Sequence, residues 1–312
     1  MPIDPQIQVL LAAGSGVPDT HTMTVAEARA RYEARIAAFA PPAAVGDVRE
    51  THIAGPGGPL RLRLYTPPGE GPFPLVVFYH GSGFVLCSLD THDGICRNLC
   101  AGAACVVVSV DYRLAPEHKF PAGLDDCLAA TRWAARHAAA LRADAASLVI
   151  AGDSAGGNLA AAVALRLRDG GVPDVRGQVL IYPVTDYHTP ATASYLENAE
   201  GFGLTREAMK WYWAHYLNDA GEARLADAAP LQAATFERLP PALIISAEYD
   251  VLRDEAEEYG RRLAQAGVPV TVSRYDGMNH AFLFWVGRVA KADRAMAEIC
   301  AWLRLRWGAT SA

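Results

Sequence analysis

The feature that most constrains the fold is a glycine-rich turn between two apolar runs. Residues Gly152 to Gly156 read Gly-Asp-Ser-Ala-Gly, and they lie between the apolar run 147–151 and the alanine-rich run 158–165. The first run favours a buried strand and the second a helix. A G-x-S-x-G sequence at such a junction is typical of a tight turn that holds a serine in a strained backbone conformation with its hydroxyl exposed. The sequence therefore predicts a nucleophilic serine, Ser154, at the end of a strand.

The composition is that of an ordinary globular protein. The chain has 312 residues, of which 51% are hydrophobic and 20% charged, and this length allows one large α/β domain with a subsidiary part, or two small domains. The net charge of −6 argues against a general nucleic-acid-binding protein or a protein that binds anionic membranes. Because the amino-terminal sequence is a poor secretory signal and no apolar stretch could span a bilayer, we expect a cytoplasmic protein without membrane insertion.

The cysteines indicate a reducing compartment. None forms a C-x-x-C pair, and several lie in apolar contexts, so we expect buried free thiols rather than a disulfide framework. Two of them, four residues apart, could share a helix face, but no matching pair of histidines follows, so we expect no metal site. The six cysteines are Cys87, Cys96, Cys100, Cys105, Cys127 and Cys300.

From about residue 47 the chain alternates strand-like and helix-like runs. Continuous apolar runs such as 75–79 and 105–108 are typical of strands buried on both faces in a parallel sheet. The sequence 55–58 indicates a hairpin turn, so we predict a mostly parallel eight-stranded sheet, flanked by helices and with an antiparallel edge. The predicted strands are 47–54, 60–66, 74–80, 105–111, 147–152, 177–183, 241–247 and 269–275. The predicted helices are 91–103, 121–142, 155–169, 253–266 and one near 289–306.

Two segments interrupt this alternation. Residues 1–45 have a helical pattern, and residues 186–228 contain Thr205 as a helix N-cap, followed by an aromatic run. We predict that the two segments form a helical cap over the carboxyl edge of the sheet, where ligands bind in open α/β sheets. The catalytic domain would then comprise residues 46–185 and 229–312.

A nucleophilic serine needs a base, and the base needs an orienting acid. On this architecture the acid and then the histidine follow the serine, each just past a strand end. His280 follows the last predicted strand and is the predicted base, because His188 and His215 fall in the predicted cap, a poor place for a fixed base.

Three carboxylates follow the predicted strand 241–247 and could orient the histidine. Asp250 is the first choice, Glu248 the second and Asp254 the third. Asp254 ranks last because it is placed to begin the next helix, where it would favour the helix dipole.

The negative oxygen that forms when the serine attacks needs hydrogen-bond donors. The turn from His80 to Phe84 contains two glycines at the end of the third predicted strand, so that backbone N–H groups could approach a substrate. The N–H of Ala155 would supply another donor. Read alone, the turn could also be an ordinary loop at a strand end.

Five motifs in order resemble the hormone-sensitive-lipase family (family IV) of bacterial carboxylesterases, within the α/β-hydrolase fold. The match runs from about residue 60 to the carboxyl terminus, and the cap segments are its weaker part. The motifs are His80-Gly-Ser-Gly-Phe84, Asp111-Tyr-Arg-Leu-Ala-Pro-Glu117 with Phe120-Pro121-Ala122, Gly152-Asp-Ser-Ala-Gly-Gly-Asn158, Ala247-Glu-Tyr-Asp-Val-Leu-Arg-Asp-Glu255 and Tyr275-Asp-Gly-Met-Asn-His-Ala-Phe282.

The resemblance implies a serine esterase that hydrolyses carboxylic esters of short to medium acyl chains, with no cofactor. It assigns Ser154, Asp250 and His280 as the catalytic triad. It assigns Ser82, Gly83 and Ala155 as the hydrogen-bond donors of the oxyanion hole. Gly81 belongs to the same turn as Ser82 and Gly83, and Ala155 follows the nucleophile. Family members often dimerise through the last strand of the sheet, so the resemblance also implies that a homodimer can form.

One position departs from the family pattern. Ser82 stands where the family usually has the middle glycine of the turn, and a positive φ there would cost serine about 1 kcal/mol relative to glycine. A backbone donor survives the change. Our hypothesis is that the Ser82 hydroxyl narrows the pocket or adds a polar contact to the substrate.

Several polar residues near the motifs are expected to be structural. We expect Arg113 and Glu117 to form an ion pair inside a packed loop, and Asp90 and His92 to cap the next helix.

The substrate contacts and the exact reaction stay open at this level. Four aromatic residues are predicted pocket walls, although each could equally be core: Phe84, Phe202, Trp211 and Phe282. An amidase, a lactonase or a carbamate hydrolase could use the same triad. A ligand receptor on this fold, such as the plant gibberellin receptors, is disfavoured because those receptors lack the catalytic histidine. The chain has no G-x-G-x-x-G after its first strand and no P-loop, which disfavours a nucleotide-dependent enzyme.

Overall fold

A computed structural model describes residues 2–14, 16–171 and 174–308. Eight strands form one sheet in the order β1-β2-β4-β3-β5-β6-β7-β8. Strand β2 is antiparallel to β1 and β4, and every other neighbouring pair is parallel, which confirms the predicted mostly parallel sheet. The strands are β1 Asp47–Gly55, β2 Gly58–Thr66, β3 Phe73–Tyr79, β4 Val106–Val110, β5 Ala143–Asp153, β6 Gly177–Ile181, β7 Ala242–Tyr249 and β8 Val270–Asn279.

Helices cover both faces of the sheet. The predicted helix over 121–142 ends at Arg136, and the chain continues in a short 3-10 turn, Ala138–Leu141, which closes on Arg142 in a left-handed conformation. The α-helices in the described part of the chain are α1 Pro5–Ala13, α2 Val25–Ala34, α3 Asp93–Ala103, α4 Ala122–Arg136, α5 Ala155–Gly170, α6 Ala193–Glu197, α7 Arg206–Tyr216, α8 Arg253–Gln265 and α9 Ala290–Arg306.

The core lies in two layers, one on each face of the sheet. Side chains alternate along a strand, so Leu75, Val77 and Tyr79 of β3 lie in the core layer that holds helices α4, α5 and α8, while Val76 and Phe78 lie in the layer that holds α3 and α9. All five side chains are fully buried. This burial on both faces explains the continuous apolar run in the sequence of β3.

The two segments outside the alternation are largely helical. Thr205 caps α7 as predicted, since its side chain accepts the N–H of Ala208. Helix α7 lies near the carboxyl end of β3, because the ring of Tyr212 packs against Gly83. The division into a catalytic domain and a cap stays a prediction, and its ranges include residues 1, 15, 172–173 and 309–312, which lie outside the described residues.

Strand β8 is longer than predicted, and its extra length brings two site segments together. It ends at Asn279 rather than at residue 275, and Asn279 pairs with Tyr249 at the end of β7. The residues that follow these two, Asp250 and His280, therefore leave the sheet side by side. In the described part of the chain, no helix combines the length and the apolar character needed to cross a membrane.

Candidate active site

Ser154 occupies a strained turn between β5 and α5. Its backbone has φ 54° and ψ −119°, which few residues other than glycine adopt. The glycines on either side are required, because a Cβ on Gly156 would collide with the carbonyl oxygen of Tyr79, and a Cβ on Gly152 would collide with the backbone of Gly156. Ser154 directly follows β5, so it lies at the carboxyl edge of the sheet. It is 7% exposed.

Three side chains from separate strand ends form one hydrogen-bonded chain. His280 Nε2 lies 3.0 Å from Ser154 Oγ, and His280 Nδ1 lies 2.6 Å from Asp250 Oδ2. The other oxygen of Asp250 accepts the N–H of Leu252 at 2.9 Å, and the carboxylate is buried. A buried carboxylate at Nδ1 favours the tautomer with the proton on Nδ1, which leaves Nε2 free to accept the proton of the serine hydroxyl.

The other candidate acids and bases are engaged elsewhere. Glu248 accepts the N–H of Gly277 at 2.6 Å, and Asp254 accepts the N–H of Ser194 at 2.7 Å. His188 contacts the hydroxyl of its neighbour Thr189, and His215 Nδ1 lies 2.8 Å from the carbonyl oxygen of Trp211 in its own helix. The structure thus brings together the three residues that the sequence ranked first.

The turn after β3 presents backbone donors beside Ser154. Ser82 and Gly83 have φ of 85° and 64°. The N–H of Gly81 donates to Asp153 Oδ1 at 3.0 Å, so Gly81 belongs to the turn but its donor is already used. Within the described residues, no acceptor takes the N–H groups of Ser82, Gly83 or Ala155. These three donors are the ones that remain for an oxyanion.

A buried pair behind this turn was missed by the sequence reasoning. Asp153 lies 3.2 Å from Nε2 of His92, and both residues are almost completely buried. His92 stands at the N-cap position of helix α3, but its side chain makes no capping hydrogen bond. Asp90 pairs with Arg63, so the expectation that these two side chains cap the helix is wrong. The position of Asp153 next to the nucleophile marked it as a residue of interest, but nothing in the sequence pattern pairs it with His92.

Histidine 80, at the start of the turn, is structural. Burial lowers the pKa of His80 to about 3, so its ring is neutral at ordinary pH. The ring stacks on Tyr112 at 4.4 Å between centroids, and the hydroxyl of Tyr112 donates to the carbonyl oxygen of His80 at 2.7 Å. These contacts with Tyr112 hold the ring and the backbone of His80 in place at the start of the turn.

Tyr182 is a second residue that the sequence reasoning did not single out. It follows the carboxyl end of β6 with a positive φ of 36°, and it is fully buried. Its ring meets the imidazole of His280 edge-on, with the centroids 4.9 Å apart. This contact limits the rotation of the predicted base. The predicted strand 177–183 included Tyr182, so the sequence offered no signal for its position just past the strand end.

The four predicted pocket walls differ in their surroundings. Phe84 and Phe282 are buried, with Phe84 stacked on Tyr216 at 3.7 Å between ring centroids. Phe202 and Trp211 are half-buried in the predicted cap. Contact of these four residues with a substrate stays a prediction.

The expected ion pair between Arg113 and Glu117 is wrong. Arg113 instead pairs with the buried Asp126, at 2.8 Å, and Glu117 pairs with Arg29 of helix α2, at 2.7 Å. The two charges therefore link their loop to other segments.

Among the described residues, no group of three or more histidine, cysteine, aspartate or glutamate side chains is placed to hold a metal ion.

The fold and this arrangement define a class of protein. A mostly parallel eight-stranded sheet, with a serine at a strand-to-helix turn and an aspartate and a histidine after later strands, is the α/β-hydrolase architecture. A family model described as the alpha/beta hydrolase fold matches residues 76–284. The chain belongs to this family, in the hormone-sensitive-lipase group that its five motifs resemble.

Named relatives and solved structures agree with this assignment. Esterase LipI of Mycobacterium tuberculosis is 44% identical over 256 residues, which cover 78% of this chain and 77% of the relative. Ethyl acetate hydrolase of Pseudomonas putida is 35% identical over 300 residues and 92% of each chain. The hyperthermophilic esterase from Pyrobaculum calidifontis superposes with a TM-score of 0.92 at 39% identity, over 97% of this chain and 98% of the other.

Proposed function

We propose that this chain hydrolyses carboxylic esters of short to medium acyl chains through a covalent acyl-enzyme on Ser154. The observation that carries the proposal is the hydrogen-bonded chain from Asp250 through His280 to Ser154. Relatives that are 35% to 44% identical over most of the chain are named as esterases or ester hydrolases, and the chain is a carboxylic-ester hydrolase. Our proposal concerns the roles of the individual residues and the preferred length of the acyl chain.

The geometry supports a two-step acyl transfer. Ser154 Oγ attacks the ester carbonyl carbon while His280 Nε2 takes the hydroxyl proton, and Asp250 stabilises the imidazolium that forms. The N–H groups of Ser82, Gly83 and Ala155 donate to the negative oxygen. His280 then gives its proton to the departing alkoxide, which leaves as the alcohol. A water molecule then attacks the acyl carbonyl carbon as it gives a proton to His280, and His280 returns that proton to Ser154 Oγ as the acid leaves.

Acyl length is tested with p-nitrophenyl esters from acetate to palmitate. We expect kcat/KM to be highest for short or medium chains, because residues of the predicted cap pack directly on the turn that holds the predicted oxyanion donors. Matched anilides and lactones test the alternative reactions. A maximum at palmitate would indicate a lipase. A higher kcat/KM for the anilides or lactones would move the assignment to an amidase or a lactonase.

The hydroxyl oxygen of Ser82 has one hydrogen-bond partner inside the protein. Burial raises the pKa of the Cys87 thiol to about 12, so the thiol keeps its proton, and it donates to Ser82 Oγ at 2.7 Å. This contact argues against the hypothesis that the hydroxyl meets the substrate. It also ties together two non-glycine residues with positive φ, 85° at Ser82 and 70° at Cys87.

Ser82→Gly is therefore expected to leave ester specificity unchanged. Glycine relieves about 1 kcal/mol of backbone strain, and the lost hydrogen bond costs about as much. We expect kcat/KM to stay within about threefold of the wild type for every acyl length, with a similar melting temperature. The p-nitrophenyl ester series measures the first quantity and thermal unfolding the second. A change that depends on acyl length would instead place the hydroxyl at the substrate.

Assembly and compartment are proposals as well. Strand β8 is an edge strand that pairs with β7, so its outer edge is free to join a second copy of the chain in a homodimer. Light scattering would detect this homodimer as a doubled mass.

We place the protein in the cytoplasm. The support is that all six cysteines are buried and unpaired, as in a reducing compartment.

A further inference from the structure

The turn that carries the oxyanion donors is in contact with the cap as well as with the sheet. Gly83 touches the ring of Tyr212 in helix α7 so closely that a Cβ on Gly83 would overlap the ring. Tyr212 is buried, and the next residue of the turn, Phe84, stacks on Tyr216 of the same helix with the ring planes 6° apart. The position of α7 therefore sets how far the backbone of Gly83 can move.

The other cap segment holds the same turn from its far end. Arg29 of helix α2 donates from Nε to the carbonyl oxygen of Val85 at 2.9 Å, and from Nη2 to the carbonyl oxygen of Ala115 at 3.0 Å. Its guanidinium also makes a two-pronged ion pair with Glu117, at 2.8 and 2.7 Å. Hydrogen bonding from Arg29 lowers the pKa of Glu117 to about 2, so the pair stays charged at ordinary pH.

The two cap segments also contact one another at this point. The hydroxyls of Tyr32, in α2, and Tyr212, in α7, lie 3.4 Å apart. Ser88, just past the turn, donates to Glu33 of α2 at 2.8 Å. Both segments thus converge on residues 83–88, which comprise the predicted donor Gly83 and the five residues after it.

We propose that Tyr212 and Arg29 are positioning residues for the oxyanion hole, which hold the N–H groups of Ser82 and Gly83 in place from the cap. The cap would then stay docked on this turn while the tetrahedral intermediate forms, rather than swing clear as a lid. A small displacement of preorganised donors is enough to lose much of their effect on rate. The inference rests on the proposed function, because it assigns these residues a role in the same reaction.

The main test is the second-order rate at which a fluorophosphonate probe labels the full chain. Phosphonylation of Ser154 develops negative charge on the phosphoryl oxygen, so its rate reports on the donors even without ester turnover. Tyr212→Leu is expected to slow labelling about 10- to 100-fold. Tyr212→Phe keeps the ring against Gly83 and should stay within about threefold of the wild type.

A matched control separates positioning from a general loss of packing. Tyr259 of α8 is also fully buried, and it packs against Phe236 in the segment that leads into β7, three strands away from β3 in the sheet. Tyr259→Leu removes the same ring and should label within about threefold of the wild type, even where its melting temperature falls. For Tyr212→Leu we expect kcat to fall on p-nitrophenyl esters, while KM changes little.

Arg29→Met keeps the test decisive where Tyr212→Leu does not fold. Arg29 is 31% exposed, so its loss should be tolerated, and we expect labelling to slow about 3- to 10-fold. A wild-type labelling rate in a folded Tyr212→Leu would overturn the inference. Where that variant does not fold, a wild-type labelling rate in Arg29→Met would overturn it. A wild type that is labelled but inactive on esters would overturn the proposed function alone, since the variants would still be compared by labelling.

Discussion

Replacing Ser154 with alanine is expected to lower kcat on every ester by at least about 10⁴-fold. The variant loses the one atom that can form the acyl-enzyme, while the donors and His280 remain. The fold should be kept, because the side chain of Ser154 hydrogen-bonds only to His280 among the described residues, and alanine fits the same tight turn. Initial rates on p-nitrophenyl esters, together with loss of fluorophosphonate labelling, measure the effect.

A serine on the same strand provides the control. Ser147 lies in the first half of β5, seven residues before Ser154, and its hydroxyl donates to Asp144 at 2.7 Å. Ser147→Ala should keep wild-type turnover and labelling. Ester hydrolysis that persisted in Ser154→Ala, in a preparation free of wild-type enzyme, would show that the nucleophile has been misassigned.

Asp250→Asn is expected to lower kcat by about 10⁴-fold with a smaller change in KM. An asparagine amide can donate to Nδ1 of His280, which would move the imidazole proton to Nε2, where it blocks the attack of Ser154. The carbonyl oxygen of the new side chain can still accept the N–H of Leu252, so the loop should keep its shape. Steady-state kinetics and the melting temperature of the purified variant separate these effects.

The neighbouring acids make this prediction selective. Glu248→Gln and Asp254→Asn remove charge within four residues of Asp250, at the end of β7 and the start of α8. Their carboxylates accept backbone N–H groups of Gly277 and Ser194 rather than contact His280. We expect each to lower kcat by less than about tenfold. A loss near 10⁴-fold in Glu248→Gln, with Asp250→Asn active, would transfer the orienting role to Glu248.

Much of the fold could be predicted because it depends on residues that are close in sequence. The apolar runs 75–79 and 105–108 occur in the buried strands β3 and β4. The tight turn at Ser154 follows from the small residues beside it, whose lack of side chains permits the close approach of β5 and α5. The end of the helix at Arg136 was missed, because the alanine-rich sequence beyond it suits a longer helix equally well.

Side-chain partners across the chain could not be predicted in the same way. Glu117 pairs with Arg29 rather than with the nearby Arg113, since α2 packs over its loop. His92 points at Asp153 rather than at the helix it begins, because the turn after β3 lies against the tight turn at Ser154. Each of these pairings depends on how separate segments pack.

By itself, the sequence determined the strand-and-helix order, the strained turn at Ser154 and three candidate acids after β7. The tertiary structure alone decided which acid meets the histidine, because the parallel pairing of β7 with β8 places Asp250 next to His280 across 30 residues of sequence. It also brought His280 to Ser154, 126 residues away, and left Gly81 without a free donor. Local patterns reflect neighbours along the chain, whereas these distances follow from sheet register and packing, which no local pattern contains.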